Sequence, residues 1–148
     1  MENRRTVGTK PESEGFRNIR RSLLTQQRLQ LVNLIGELYR LSRENRRFLE
    51  ARLGEAGKQL PLYQRLVSDC LFPDPLRKDA KIRIAEAKRM ISQYERATGD
   101  AAGTIDLMLT FVEQGTALAA DLGYGDDGFF SALEGMLSRV LQALSRAV

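Results

Sequence analysis

The stretch Asp100–Leu122, DAAGTIDLMLTFVEQGTALAADL, decides the fold of this 148-residue chain. At about 100° per residue, a helix over this stretch carries two apolar stripes. The stripes consist of Ile105, Met108, Leu109, Val112 and Ala119 on one side, and of Leu107, Phe111, Leu118 and Leu122 on the other. Because they cover more than half of the circumference, at least two other helices must pack on this one. Asp100 is a suitable N-cap, and Gly123 stands where a left-handed residue ends a helix.

Apolar residues recur at helical spacing in most of the chain. The other predicted helices cover residues 25–41 and 42–53, as two helices or one, and residues 61–71, 79–97 and 128–147. We therefore predict an all-α fold, a compact bundle of five or six helices in antiparallel hairpins. A short HEAT-like stack of helical hairpins is the alternative. The last helix has a broad apolar arc, which either completes the core, as we favour, or leaves an edge for a partner helix.

The composition fits one domain of a cytoplasmic protein. A chain of this length with a hydrophobic content of 43% can form a core without disulfides or bound metal ions. Cys70 is the only cysteine, and we interpret it as a buried structural thiol and not a nucleophile. The chain contains no histidine, which excludes a His-dependent triad and a zinc site with His ligands. We expect neither a secretory signal nor a membrane span, because no segment has the required apolar run.

The net charge of +4 is concentrated at the N-terminus. Residues 1–24 hold six Lys/Arg and three Glu, whereas the remainder holds seventeen basic and sixteen acidic residues. We predict a flexible basic arm over residues 1–24, which turns helical near Phe16 or later, and a single helical domain over residues 25–148. The arm is either a solvated tail or a contact for nucleic acid or an acidic partner, since Lys and Arg neutralise phosphates. Its candidate contacts are Arg4, Arg5, Arg17, Arg20 and Arg21.

A second basic group lies on and just before the helix predicted over residues 79–97. Its members fall within about 100° of arc, and they are Lys78, Lys81, Lys88, Arg89 and Arg96. Such a stripe either follows a phosphate backbone or pairs with Asp106, Glu113 and Asp121 on the next helix. We favour ion pairing or plain solvation.

The familiar patterns of catalytic and metal sites are absent from the sequence. Asp106 and Glu113 share a helix face but lie about 10.5 Å apart along its axis, too far to ligate one metal ion. The segment GYGDDG, residues 123–128, fails as a calcium loop because glycines occupy the first and third ligand positions. Asp126 or Asp127 is better interpreted as the N-cap of the last helix. We expect no cofactor, no metal and no enzyme activity; a carboxylate site at Asp106 and Glu113 is the enzymatic alternative.

Three segments resemble a known group of proteins. They are LIGELYRLSRENRRFLEARL (Leu34–Leu53), AEAKRMISQYERATGDAAGTIDLMLTFVEQG (Ala85–Gly115) and GYGDDGFFSALEGML (Gly123–Leu137). Their order and motifs are similar to those of small bacterial all-helical proteins of unknown function. The resemblance implies an all-α fold, and it implies no activity and no catalytic residue.

The sequence thus favours a protein that recognises other macromolecules. We predict a non-catalytic protein–protein interaction or adaptor module, or a homo-oligomer, because apolar arcs are wide and catalytic patterns are absent. The alternative is a nucleic-acid-binding protein that uses the arm and the basic stripe.

Overall fold

The computed structural model describes residues 12–55, 57–74, 76, 78 and 81–147. Within them, every regular element is an α-helix, which confirms the all-α class. The helices are α1 (Glu14–Leu24), α2 (Arg28–Leu41), α3 (Arg43–Leu53), α4 (Gln59–Leu71), α5 (Ile84–Thr98), α6 (Ala101–Leu122) and α7 (Asp127–Ala147). The described part therefore has seven helices where the sequence predicted five or six. None of these seven combines the length and the apolar character that a membrane span requires.

The additional helix, α1, lies inside the predicted arm. Ser13 caps it, because the Ser13 hydroxyl accepts a hydrogen bond from the backbone N–H of Phe16 at 3.3 Å. Glu14 in the first turn and Arg21 in the last turn both suit the helix dipole. Residues 1–11 of the arm lie outside the described residues, and the predicted domain boundary after residue 24 stays a prediction.

The chain divides into two compact units after Asn45, inside α3. The N-terminal unit contains α1, α2 and the start of α3. Ser42 separates α2 from α3, and its hydroxyl accepts a hydrogen bond from the N–H of Asn45 at 3.0 Å. Neither α1 nor α2 contains a buried residue.

The C-terminal unit contains the core. In it, α6 packs against α4, α5 and α7. Phe111 is fully buried and Leu118 is 2% exposed, while Val112 packs against the core from its edge. These contacts confirm that α6 needs several helical neighbours, and the packing is compatible with a bundle.

The ends of α6 are fixed as the sequence predicts. The Asp100 side chain accepts a hydrogen bond from the N–H of Gly103 at 3.0 Å, and Gly123 has a φ of 61° at the C-cap. Asp126 likewise caps α7, since its carboxylate accepts from the N–H of Phe129 at 2.8 Å. The acidic loop before α7 thus has a capping role.

Candidate interaction surfaces

The basic residues predicted as contacts belong to both units. Arg4 and Arg5 lie outside the described residues. Arg17, Arg20 and Arg21 are exposed on α1, and Arg20 forms a 3.3 Å salt bridge with Glu12. The other five, Lys78, Lys81, Lys88, Arg89 and Arg96, are exposed residues of the C-terminal unit.

The predicted basic stripe is shorter in the structure, because α5 begins at Ile84 and not at residue 79. The N–H of Arg83 donates a 2.8 Å hydrogen bond to the carbonyl of Cys70, and Arg83 has non-helical dihedral angles. Lys78 and Lys81 therefore precede the helix, and its basic residues at the predicted positions are Lys88, Arg89 and Arg96. Among the residues that the structure describes, no salt bridge joins any of these five lysines and arginines to Asp106, Glu113 or Asp121.

Large apolar side chains are exposed along both α1 and α2. Leu24 and Leu41 are each 77% exposed, and Leu29 is 69% exposed. We name this surface the N-terminal apolar face; it consists of Phe16, Ile19, Leu24, Leu29, Val32, Leu34, Ile35, Leu38 and Leu41. Several large apolar side chains exposed in one region are typical of a site that another molecule covers.

A second apolar surface follows α7, whose apolar arc is divided between core and solvent. Phe129, Met136 and Val140 are buried. The neighbouring exposed side chains form what we name the α7 stripe, which consists of Phe130, Leu137, Leu141 and Leu144. The sequence favoured the core for this arc over an open edge for a partner helix, and the structure shows one part of the arc buried in the core and another part exposed.

A groove continues the α7 stripe at the C-terminal end of α7. It has a volume of about 620 Å³ and lies between the start of α6 and the end of α7. Ala102, Ile105 and Met108 line one wall, Leu144 belongs to both the groove and the stripe, and Glu95 and Arg146 add charge to the lining. Because they share Leu144, groove and stripe form one continuous apolar surface of the C-terminal unit.

A smaller and more polar cavity of about 380 Å³ lies where α3, α5 and α6 meet. Its polar groups already bind parts of the protein. The Arg52 guanidinium donates to the carbonyls of Ala97 and Arg96 at the end of α5. The Tyr94 hydroxyl donates to Asp100 at 2.7 Å. The Arg52 bonds join the end of α3 to the end of α5, and the Tyr94 bond joins α5 to the N-cap of α6.

The ionisable groups of this cavity have shifted pKa values. Burial, together with the hydrogen bond to Asp100, raises the pKa of Tyr94 to about 12. Hydrogen bonds from the N–H of Gly103 and from Tyr94 lower the pKa of Asp100. Each shift favours the hydrogen bond that is present, namely a protonated phenol on an ionised carboxylate.

The structure also describes three residues that the sequence raised as possible reactive groups: Cys70, Asp106 and Glu113. Cys70 is buried, and burial raises the pKa of its thiol, which suits a structural role. Asp106 and Glu113 are exposed on α6, and neither lines the two cavities described above. No cluster of three or more acidic or cysteine side chains with metal-site geometry occurs among the described residues.

Comparison of the chain with protein-family models, with curated proteins and with solved structures gives no significant match. The resemblance to the small bacterial helical proteins therefore stays a prediction.

Proposed function

We propose that this chain is a non-catalytic helical interaction module, an adaptor or a homo-oligomer, and that α1 and α2 form its docking element. The observation that carries the proposal is the contrast between their apolar composition and their exposure. Nine large apolar side chains on these two helices are exposed, and neither helix contains a buried residue.

Helix energetics support this proposal. Isolated helices shorter than about 12–15 residues are marginal in water, and α1 and α2 have 11 and 14 residues. Most helical stability comes from packing an apolar face. Viewed down the axis of α2, its apolar residues occupy an arc of about 240°, bounded by Leu41 on one side and Leu29 on the other. Such a wide arc is typical of a helix that is covered on several sides. A partner chain supplies such a cover.

The test compares capture of partner chains by the wild type and by two matched variants. Leu34→Glu/Leu38→Glu places two charges on the N-terminal apolar face, where both leucines are partly exposed. The control, Gln30→Glu/Asn33→Glu, adds the same charges on the polar side of α2. We expect the first variant to lose self-association or capture of its partner, and the control to keep it. A strictly monomeric wild type whose captured proteins are the same in all three forms would contradict the proposal.

The second candidate function is nucleic-acid binding. It is supported by the exposure of Lys88, Arg89 and Arg96 on α5, and by the lack of salt bridges between them and the carboxylates of α6 among the described residues. Lys and Arg that contact phosphates give affinity that falls steeply with salt. Replacing these three residues with Gln should then reduce the salt dependence of RNA or DNA binding. If the purified protein retains no nucleic acid at low salt, this candidate is rejected.

The single cysteine supports a reducing compartment, so we place either activity in the cytoplasm.

A further inference from the structure

The α7 stripe and the apolar face of α2 match in length and in spacing. Phe130 and Leu144 are fourteen residues apart, or about 21 Å along a helix at 1.5 Å per residue. Helix α2 has 14 residues and the same length. Leu137 lies midway between Phe130 and Leu144, seven residues from each, and Leu31 and Leu38 on α2 have the same spacing. Apolar residues seven apart on both helices suit side-by-side packing at a crossing angle near 20°.

The charges of the two surfaces are opposite. Helices α1 and α2 hold five arginines against two glutamates, a net charge of +3. Residues 101–147, which contain α6 and α7, hold six carboxylates against two arginines, a net charge of −4. Glu134 borders the α7 stripe, and Asp126 and Asp127 lie at its N-terminal end. Helix α7 alone holds two carboxylates and two arginines; by the 3.6-residue period Arg139 and Arg146 lie on the side opposite the stripe, although Arg146 also lines the adjoining groove beside Glu95. The charges next to the stripe itself are therefore acidic, and they are unlike those of the basic N-terminal helices.

The size of the surface also fits a stable pair of chains. Each copy offers 22 residues in the N-terminal apolar face, the α7 stripe and the groove, with Leu144 counted once, and a standard protein–protein interface takes about 20–30 residues from each side. The receiving side offers the α7 stripe and the adjoining groove. Both surfaces are exposed on the single chain.

We propose that the partner is a second copy of this chain, and that α2 of each copy docks on the α7 stripe of the other. This inference rests on the proposed function and adds the partner and the receiving surface. Because each copy docks its α2 on the other copy, the result is a closed dimer with two equivalent contacts. Each contact is between the α2 of one copy and the α7 of the other. The acidic C-terminal half of each copy then receives the basic N-terminal helices of the other.

The experiment uses two variants of the full chain. One variant disrupts the apolar side of α2, and the other disrupts the α7 stripe. Leu34→Glu/Leu38→Glu puts acidic groups on α2, which would face the acidic α7 surroundings. Leu137→Lys/Leu141→Lys puts basic groups on the α7 stripe, which would face the basic α2. All four leucines are exposed by 39% or more, so circular dichroism should show that both variants remain folded. The control for α7 is Ser138→Lys/Gln142→Lys, on its polar side.

We expect the wild type and the controls to have twice the chain mass of 16.7 kDa by sedimentation velocity, and each variant alone to have the chain mass. An equimolar mixture of the two variants should again form dimers. In the mixture, the intact α2 of one variant meets the intact stripe of the other, and the two altered surfaces have opposite charges. Recovery in the mixture requires contact between α2 and α7, and neither α2–α2 nor α7–α7 pairing produces it.

Other outcomes overturn the inference in distinguishable ways. If the α7 variant stays dimeric and the α2 variant is monomeric, α2 pairs with α2, so the receiving surface is wrong and the proposed function stands. If the wild type is monomeric but captures another protein through α2, the self-docking is wrong and the proposed function stands. If the wild type is monomeric and neither variant changes its captured proteins, both proposals are rejected.

Discussion

At the scale of single residues, the junction between α5 and α6 depends on a glycine. A Cβ at Gly103 would lie 2.6 Å from the Tyr94 hydroxyl oxygen and would also overlap the Asp100 carboxylate. These are the two groups that hydrogen bond at this junction, with an O···O distance of 2.7 Å. The helix here approaches its own cap so closely that no side chain fits.

We therefore expect Gly103→Ala to lower the free energy of unfolding by about 1–3 kcal/mol, the usual cost of overpacking. Gly135→Ala is the matched control, because nothing lies within 4 Å of a Cβ at that exposed helical position. The control should gain about 0.5–1 kcal/mol, since Ala is the better helix former. Urea denaturation of both variants checks this, and an equal gain for Gly103→Ala would contradict the geometry of the junction.

Two buried tyrosines make the stability depend on alkaline pH. Burial raises the pKa of Tyr63 and, with the Asp100 hydrogen bond, that of Tyr94 to about 12, from the ordinary value of 10.0. The folded state thus favours the protonated phenols, and their contribution is complete below pH 10 and is lost as the pH rises towards 12. We expect a loss on the order of 2 kcal/mol for Tyr63 and a smaller loss for Tyr94, because Tyr94 lines an open cavity where solvent screens part of the effect. Unfolding free energies measured across this range should fall less steeply in Tyr94→Phe than in the wild type, and equal slopes would contradict the assignment.

At the scale of elements, α2 and α6 should differ in how their backbone amides exchange with solvent. Helix α6 is enclosed by three neighbours, while α2 contains no buried residue. Exposed short helices open at little cost in free energy, whereas core helices open near the global unfolding free energy. We expect the amides of α2 to exchange faster on dilution, as the partner chain leaves, and those of α6 to be unaffected. Hydrogen exchange with mass spectrometry measures this; protection of α2 that is independent of concentration would argue against a partner chain.

The sequence predicts some elements well because their signals are local. The apolar width of α6, its Asp100 cap and its Gly123 end are all properties of one stretch, and each is confirmed. The start of α5 is not local, because the hydrogen bond from Arg83 to the carbonyl of Cys70 joins residues far apart in sequence. Periodicity shows which face of a helix is apolar and says nothing about what covers it. The division of the α7 arc between core and solvent therefore required coordinates.

At the scale of the whole molecule, we expect the two units to contribute unequally to the free energy of unfolding. Every residue of the main buried cluster belongs to the C-terminal unit, and the cluster includes the fully buried Phe111. Truncating such a residue leaves a cavity and costs about 3–5 kcal/mol. We expect this loss for Phe111→Ala, and a change within about 0.5 kcal/mol for Leu41→Ala, which is 77% exposed. Chemical denaturation of the monomeric form compares them, and similar losses would mean that α2 contributes to the folding core.

The segregation of charge along the chain bears on the kinetics of assembly. In the dimer that we propose, the basic helices α1 and α2 of one copy attract the acidic residues 101–147 of the other over distances comparable to the Debye length, which falls from about 10 Å at 0.1 M salt to about 3 Å at 1 M. Long-range attraction accelerates encounter, whereas apolar contacts formed after docking set the dissociation rate. We therefore expect added salt to slow the association of two labelled copies markedly and to leave their dissociation nearly unchanged.

Stopped-flow fluorescence transfer between labelled copies measures both rates. Arg17→Gln/Arg21→Gln, at two exposed arginines of α1, should lower the association rate at low salt and weaken its dependence on salt. Arg65→Gln, at an exposed arginine of α4, removes one charge and should affect the rate less than Arg17→Gln alone. If salt accelerates dissociation instead, the contact is held mainly by ion pairs, and the apolar match between α2 and the α7 stripe is not what stabilises the dimer.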